Sequence, residues 1–445
     1  MKGTRKKKYE EGRIDVVSMG CSKNLIDSER LLRRLQSKGY TAVHDSAAPR
    51  GEYVVVNTCG FIADAKEESI NIILELCEAK RRGEIGQLAV MGCLSQRYLD
   101  ELKDEMPEVD RWYGKFDWKD FIDTLPDRVN SEKPKDWERT LTTPPHSAYL
   151  KISEGCDRFC AFCAIPLITG RHTSRPQEEI LDEVRQLVKE GVKEFNVIAQ
   201  DLSSYGMDLY GEHTLPQLID AMADIPGVEW IRLHYAYPSD FPLGLLDVMA
   251  RRENVCKYLD IALQHIADPV LDNMRRHIDS ASTLRLLDEM RRRVPGIKIR
   301  TTLMVGFPGE GEKEFDQLMD FVRTQRFDRM GAFAYCEEDD TYAARHLDDN
   351  IPEDVKQQRL DRLMALQEEI ALENNEKMIG QTVKVLIDRI EDGNAIGRTQ
   401  WDSPEVDPEV IVKNGTSLKP GDFVNVTVTE AYPFELAGEA EQQVI

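Results

Sequence analysis

The chain has 445 residues, of which 41% are hydrophobic and 31% charged, a composition typical of a globular protein with about two to four domains. Its formal net charge of −22 at pH 7 disfavours tight, sequence-independent binding to nucleic-acid phosphates. No run approaches the roughly 20 apolar residues of a membrane span, and the Lys-rich start lacks the apolar segment of a secretory signal. We therefore expect a cytoplasmic protein that does not bind membranes.

The first part of the chain predicts an open parallel α/β sheet. After a basic tail, residues 1–12, which we expect to be a solvated terminus, three short apolar runs predict buried strands. Amphipathic stretches at residues 28–35 and 65–77 predict helices between them. We assign this domain to residues 13–125, with strands at residues 14–17, 53–56 and 88–91.

A cysteine follows each of these three strands, at Cys21, Cys59 and Cys93. The carboxyl ends of parallel strands share one edge of a sheet, so these thiols can converge although they are far apart in sequence. The pattern predicts a shared metal cluster. Spacing alone leaves an alternative open, because buried free cysteines are common in strands.

A second run of strands and helices predicts an incomplete parallel barrel. Residues 126–147 are rich in proline and charge and predict a linker. Residues 148–350 then alternate six strands with five helices, which favours a partial, TIM-like (β/α)6 barrel with its site at the C-terminal mouth. The predicted strands are residues 149–153, 194–200, 230–235, 258–264, 297–305 and 330–335, and the helices are residues 177–190, 215–224, 242–251, 282–293 and 312–325.

The first barrel strand leads into a cysteine triplet, Cys156, Cys160 and Cys163, with the spacing C-x3-C-x2-C. Three thiolates on a four-iron cluster leave one iron open to a small molecule. A structural zinc site is the alternative, but zinc is usually held by four ligands. Nine scattered cysteines without an export signal make a disulfide framework improbable.

Other residues near the predicted strand ends have both a functional and a structural interpretation. Phe162 either covers the open iron or is a core aromatic residue, and Gln200 and Asp201 either bind a polar ligand or cap a turn. The turn from Gly306 to Gly309 allows close approach of a nucleoside. Three further polar residues near strand ends are more often core or rim residues than ligands: His234, Gln264 and His265.

The last part of the chain predicts a helix and a small β-barrel. Residues 351–379 form a connecting amphipathic helix, and residues 380–445 are β-rich and punctuated by glycines. This last segment has five Lys or Arg residues against twelve Asp or Glu residues. Such acidity argues against a surface that follows a phosphate backbone.

The cysteines and the surrounding motifs resemble those of a known family over nearly the whole chain. The triplet with Phe162 resembles the radical S-adenosylmethionine (radical SAM) signature, and its combination with three N-terminal cysteines resembles the methylthiotransferases. These enzymes join an N-terminal cluster domain, a radical SAM barrel and a C-terminal TRAM domain. Four segments are similar to the RimO branch: Ser153-Glu-Gly-Cys156, Gln200-Asp-Leu-Ser-Ser-Tyr-Gly206, Leu263-Gln-His-Ile266 and Asp402-Ser-Pro-Glu-Val-Asp407.

The resemblance implies two [4Fe–4S] clusters and S-adenosylmethionine as cofactors. One cluster is implied at Cys156, Cys160 and Cys163 and the second at Cys21, Cys59 and Cys93, while Phe162, Gln200 and Val305 are implied to contact S-adenosylmethionine. The implied reaction adds a methylthio group to the β-carbon of an aspartate in ribosomal protein twelve of the small subunit, with electrons from a reductant protein. No catalytic residue beyond the clusters is indicated.

Two other functions remain as alternatives. The same chemistry on a tRNA adenosine is disfavoured because the tRNA-modifying branches carry a more basic TRAM domain, whereas an acidic one complements a basic ribosomal protein. A non-catalytic iron–sulfur scaffold or electron carrier is the second alternative. It predicts no reductive cleavage of S-adenosylmethionine.

Overall fold

The computed structural model describes residues 8–130 and 132–441, so most of the predicted basic tail lies outside the described residues. The chain divides into two compact units. The first runs to Thr142 and also includes Ala164–Arg171, and the second comprises Thr143–Cys163 and the chain from His172 onwards. Within the described ranges, no helix is both long and apolar enough to cross a lipid bilayer.

The first unit contains a five-stranded parallel sheet in the order β2-β1-β3-β4-β5, which confirms the predicted open α/β fold. The edge strands β2 and β5 were not predicted, because they have only four and two residues and no continuous apolar run. Its elements are β1 Glu10–Ser18, α1 Ser22–Ser37, β2 Thr41–His44, β3 Gly51–Thr58, α2 Ala63–Arg81, β4 Gln87–Gly92, α3 Cys93–Glu105, β5 Arg111–Trp112 and α4 Trp118–Asp123.

Much of the segment predicted as a linker packs against α1. The Arg139 guanidinium pairs with the buried carboxylate of Glu29, which also accepts a hydrogen bond of 2.7 Å from the backbone N–H of Thr142. Arg34 of α1 bonds to Asp136 at 2.9 Å. Two of the charged residues that suggested a linker, Asp136 and Arg139, therefore form ion pairs that attach this segment to α1.

The second unit contains a six-stranded parallel sheet in the order β6-β9-β10-β11-β12-β13, which confirms the predicted partial barrel. Strand β11 begins three residues earlier than predicted. The elements are β6 Ser147–Lys151, β7 Ser153–Glu154, α5 Ile165–Thr169 (in the first unit), β8 Thr173–Ser174, α6 Gln177–Lys189, β9 Glu194–Ile198, α7 Met207–Tyr210, α8 Leu215–Ala223, β10 Trp230–Ala236, α9 Gly244–Arg251, β11 Val255–Ile261, α10 Asp268–Asn273, α11 Ser280–Arg293, β12 Lys298–Val305, α12 Glu312–Gln325, β13 Arg329–Ala334, α13 Tyr342–His346 and α14 Glu353–Glu376.

The C-terminal strands close into a small barrel in the order β14-β15-β16-β18-β17, as predicted. Strands β15 and β18 were not predicted, because each is interrupted by a glycine and by charged residues that break the apolar alternation. The strands are β14 Thr382–Glu391, β15 Asn394–Thr399, β16 Glu409–Lys413, β17 Phe423–Ala431 and β18 Glu435–Ala440.

A buried carboxylate joins the small barrel to the parallel barrel. Glu194, the first residue of β9, is fully buried and bonds to Arg232 of β10 at 2.9 Å and to Arg398 of β15 at 2.7 Å. The Ser147 hydroxyl donates a further bond of 2.7 Å to Glu194. Burial opposes ionisation, but the two guanidinium groups outweigh it and hold the pKa of Glu194 well below its usual value.

The loop from Asp402 to Asp407, singled out by its resemblance, makes similar contacts at the N-terminal ends of the last two barrel strands. Asp402 bonds to Arg329 at 2.7 Å, and Asp407 bonds to Arg300 at 2.6 Å and accepts a bond of 2.8 Å from the hydroxyl of Tyr258. Both carboxylate side chains are 1% exposed, so these two aspartates are buried anchors of the loop.

Candidate functional site

The three N-terminal cysteines converge at the carboxyl edge of the first sheet. Cys21 lies directly before α1, Cys59 directly after β3, and Cys93 begins α3. Gly20, with φ of +84°, approaches Cys59 so closely that a Cβ atom at Gly20 would lie 2.7 Å from the Cys59 Sγ. A Cβ atom on Gly60 would likewise lie 2.8 Å from the backbone carbonyl carbon of Cys93. Glycine at these positions lets the three loops meet.

Asn24 connects the loops that carry these cysteines. Its buried amide donates to the carbonyl of Met19 at 3.0 Å and to the carbonyl of Thr58 at 2.8 Å. The backbone carbonyl of Asn24 accepts a bond of 3.0 Å from the side-chain amide of Asn57. The Cys93 Sγ lies 3.8 Å from the Asn24 Oδ1. One side chain therefore fixes the positions of three neighbouring strand ends.

A buried cation lies beside the same cysteines. Lys115 has a side chain that is only 3% exposed and bonds to Asp27 at 3.0 Å. Burial raises the pKa of Cys93 to about 12, the positive charge of Lys115 opposes this rise, and the thiols of Cys21 and Cys59 add to it. The three thiols thus interact electrostatically, and Lys115 favours the thiolate forms that bind metals.

We expect Asn24→Ala to destabilise the first unit by about 2 kcal/mol, because two buried carbonyl groups lose their donors. Urea denaturation of the metal-free protein measures this change. Asn71→Ala, at an exposed position in the middle of α2, is the matched control and is expected to shift stability by less than about 0.5 kcal/mol. Equal effects of the two substitutions would contradict the role assigned to Asn24.

The second cysteine triplet lies in the loop that follows β7. Backbone bonds hold this loop against two others: the N–H of Ala161 donates to the carbonyl of Met274 at 2.9 Å, and the N–H of Ala343 donates to the carbonyl of Ala161 at 2.7 Å. Within the triplet, the N–H of Cys163 donates to the carbonyl of Cys160 at 3.0 Å. The triplet is therefore held in place by backbone groups near the ends of α10 and α13.

Cys160 is buried and has two polar neighbours. The Arg276 Nη1 donates to the Cys160 Sγ at 3.2 Å, and the hydroxyl of Tyr237 lies 3.6 Å from the same sulfur. The Arg276 guanidinium also lies 4.1 Å from the centre of the Tyr237 ring. The Cys160 sulfur therefore lies between a guanidinium group and a phenol hydroxyl.

Cys156 lies in a second charged environment. Burial raises its pKa to about 12, and the charges of Asp201 and Cys160 add to this rise while Arg158 opposes it. The Arg158 Nε donates to the Asp201 carboxylate at 2.8 Å, and that carboxylate also accepts a bond of 2.6 Å from the hydroxyl of Ser204. Asp201, predicted only as a polar strand end, therefore holds Arg158 near the cysteines.

The predicted cofactor contacts lie at the carboxyl edge of the second sheet. Phe162 packs edge-to-face on Phe307, which lies in the loop after β12, and the two ring centres are 6.1 Å apart. Val305 is the last residue of β12 and accepts a backbone bond of 2.8 Å from Tyr335. Gln200, just beyond β9, donates its amide to Glu154. The structure thus places Gln200 and Val305 at or just beyond strand ends and Phe162 against the loop after β12, and their binding role stays a prediction.

Several buried polar atoms near this edge have no hydrogen-bond partner among the described residues. They include the hydroxyl of Ser153 and the amide oxygens of Gln200 and Gln264. Gln264 also has a φ of +71°, which a side-chain-bearing residue seldom adopts without support. Buried acceptors usually have a donor, so these oxygens suit a ligand with hydroxyl or ammonium groups.

The glycine turn after β12 also has a structural explanation. A Cβ atom at Gly306 would lie 2.3 Å from the Lys356 side chain of α14, and one at Gly309 would lie 2.4 Å from the Asn273 side chain. These glycines therefore allow α14 and α10 to pack closely. His265 is also structural, since its ring bonds to the buried Glu310 at 3.1 Å.

Across residues 8–130 and 132–441, no three His, Cys, Asp or Glu side chains lie close enough together to bind a single metal ion. A [4Fe–4S] cluster differs from a single ion because each thiolate binds its own iron atom. Its ligands therefore lie further apart than those of a zinc ion, whose bonds to sulfur are about 2.3 Å long.

Three family descriptions match successive parts of the chain. Uncharacterized protein family UPF0004 matches residues 13–114, the Radical SAM superfamily matches residues 150–322, and the TRAM domain matches residues 379–440. The chain is 60% identical over 424 residues to ribosomal protein uS12 methylthiotransferase RimO of Phocaeicola vulgatus, covering 95% of this chain and 98% of the relative. The chain belongs to the RimO family. The relative of that name from Porphyromonas gingivalis is 58% identical over 426 residues, covering 95% of this chain and 98% of the relative.

Solved structures agree on the fold of this RimO-family chain. The radical S-adenosylmethionine methyltransferase TsrM of Kitasatospora setae matches with a TM-score of 0.55 and 15% identity, over 92% of this chain and 81% of that one. The cobalamin-dependent S-adenosylmethionine radical enzyme OxsB matches with a TM-score of 0.51 and 12% identity, over 80% of this chain and 56% of that one.

Sequence reasoning missed several residues near the cysteines of this RimO-family protein. Five residues contact the cysteines or act on them electrostatically, and most of these residues are distant in sequence from the cysteines concerned. They are Asn24, Lys115, Arg158, Tyr237 and Arg276. Only Asn24, three residues after Cys21, and Arg158, within the triplet, lie close in sequence to a cysteine of their own site. Arg276 belongs to a charged run, Arg275-Arg-His277, which on sequence alone suggests a solvated surface.

Proposed function

We propose that this chain is a radical S-adenosylmethionine methylthiotransferase that modifies an aspartate of ribosomal protein uS12. One observation carries the proposal: each of two cysteine triplets lies at the carboxyl edge of its own parallel sheet, in a chain 60% identical to a RimO protein over nearly its full length. Sites in open parallel sheets form at this edge. The three domains that match the chain supply one part each of such an enzyme.

Cys156, Cys160 and Cys163 would hold a [4Fe–4S] cluster in the barrel. When bound, the cluster and S-adenosylmethionine supply the one-electron chemistry that activates an unreactive carbon–hydrogen bond. The chain contributes the binding site. The amide oxygens of Gln200 and Gln264 would accept hydrogen bonds from the cofactor, and Phe162, which packs on Phe307, would restrict the access of water to it.

Cys21, Cys59 and Cys93 would hold a second [4Fe–4S] cluster. The donor set supports this, since three thiols without a fourth cysteine leave one iron open for the sulfur that is transferred. Two neighbouring residues suit a cluster site. Lys115 favours the thiolate forms of the cysteines, and Asn24 fixes the loops that carry them.

The substrate is a basic ribosomal protein in preference to tRNA. Residues 380–445 contain twelve acidic and five basic residues, and the whole chain carries a net charge of −22. Acidic surfaces attract basic proteins and repel phosphate backbones. A separate reductant protein supplies the electrons.

Incubating the purified protein with S-adenosylmethionine, a reductant and either uS12 or bulk tRNA tests this proposal. Mass spectrometry should show a methylthio group in place of one hydrogen on uS12 and no change in tRNA. Modification of a tRNA adenosine with unmodified uS12 would favour the alternative substrate.

A further inference from the structure

We infer that Arg276 is a positioning residue that raises the reduction potential of the barrel cluster, so that a one-electron reductant can reduce it. This inference depends on the proposed cluster at the second cysteine triplet. It does not depend on the identity of the substrate.

The contact between Arg276 and the triplet is direct. The Arg276 Nη1 lies 3.2 Å from the Sγ of Cys160, and the guanidinium stacks on the ring of Tyr237 at 4.1 Å. Its Nη2 donates to the backbone carbonyl of Ala262, just beyond β11. The side chain is therefore held on three sides and points at a cluster ligand.

The charge of Arg276 lies where water cannot screen it well. The residue is 2% exposed, and its Nε has no hydrogen-bond partner in the described part of the chain. No carboxylate pairs with this guanidinium among those residues; its partners are a thiol, a carbonyl and an aromatic ring. A buried guanidinium without a paired carboxylate is unusual, because such charges are normally compensated. A cluster with anionic ligands would supply the missing negative charge.

The backbone around Arg276 is held in a conformation that side-chain-bearing residues seldom adopt. Arg275 has a φ of +56° and His277 a φ of +55°. The tyrosine hydroxyl of Tyr237 donates to the carbonyl of Arg276 at 2.9 Å. The carbonyl of Met274, two residues earlier, accepts the bond from Ala161 inside the triplet. Strained positions of this kind persist where the surroundings fix them and often mark functional sites.

The expected effect on the cluster follows from charge. Reduction adds one electron from an external one-electron reductant, and the negative charge of the cluster with its thiolates rises by one. A hydrogen bond and a positive charge at the Cys160 sulfur stabilise this more negative state over the oxidised one. Arg276 therefore makes reduction easier.

A redox titration followed by electron paramagnetic resonance tests this role. The full chain carries Cys21→Ala, Cys59→Ala and Cys93→Ala so that only the barrel cluster contributes, and dithionite is the reductant. We expect R276Q to lower the ratio of reduced to oxidised cluster about tenfold at a fixed potential, which corresponds to about 59 mV for one electron.

Arg275→Gln is the matched control, since it removes the same charge from an exposed neighbour that packs on Tyr342. It should change the ratio less than twofold. An unchanged reduction potential in R276Q would overturn the inference, and so would an equal shift in R275Q. A folded R276Q that loses its iron would also overturn it, because that result would show a purely structural role. If R276Q does not fold, R276K decides: a ratio within twofold of the parent supports the role of the charge, and a tenfold fall overturns it.

Discussion

Replacing Cys156, Cys160 and Cys163 together by alanine should halve the iron of the reconstituted protein, from about eight to about four atoms per chain, and abolish cleavage of S-adenosylmethionine. Each triplet lies on a different sheet and in a different compact unit. Loss of one set of thiolates should therefore leave the other intact. Iron and sulfide analysis measures the first effect, and chromatography of the cleaved cofactor measures the second.

The other triplet supplies the matched control. Replacing Cys21, Cys59 and Cys93 by alanine should also halve the iron content, but this variant should still cleave S-adenosylmethionine and fail only in transferring the methylthio group. Unchanged iron in either variant would show that its cysteines do not bind a cluster. A protein that contains both clusters but never cleaves S-adenosylmethionine would be an electron carrier or scaffold.

We expect Glu194→Gln to destabilise the second unit by about 3 kcal/mol near neutral pH, because it leaves buried arginine charges without their carboxylate. Glu194 and Arg232 are both fully buried, and among the described residues Arg398 would keep Asp388 alone as a charged partner. Urea denaturation followed by tryptophan fluorescence measures the loss, since Arg232 lies 5.5 Å from the ring centre of Trp230.

The same substitution should change how stability depends on pH. The folded pKa of Glu194 is lowered from its usual value of 4.5, so its stabilising contribution is complete above pH 4.5 and is lost as the pH falls from there towards the folded pKa. The difference between the parent and E194Q should therefore be largest near pH 7 and shrink below pH 4.5. Glu391→Gln, at an exposed ion pair with Arg389, should cost less than about 0.5 kcal/mol at either pH. A difference between the parent and E194Q that does not change with pH would contradict this account.

The arrangement of strands could be predicted from sequence because buried parallel strands leave a strong local pattern. All five residues of β9 are buried, and its run Glu-Phe-Asn-Val-Ile follows a clear amphipathic helix. Short edge strands left no such pattern, and the charges of residues 126–142 suggested a linker where Arg139 and Asp136 form ion pairs with α1. Local sequence does not show which distant charge a residue will meet.

The candidate site likewise contains residues that local sequence predicts and residues that it does not. The cysteines could be predicted because they follow recognisable strands, whereas Arg276 and Lys115 approach them from segments that are distant in sequence. The loop from Asp402 to Asp407 was noticed only through a resemblance. The structure gives it a physical role, because its two aspartates anchor the small barrel to the parallel one through Arg329 and Arg300.

Tandem mass spectrometry of uS12 from small ribosomal subunits tests the central claim most directly. Subunits from cells that contain this protein should carry one methylthio group on the β-carbon of a single aspartate, and subunits from cells that lack it should carry an unmodified aspartate. An identical uS12 mass in the two preparations, with a difference confined to tRNA, would contradict the account.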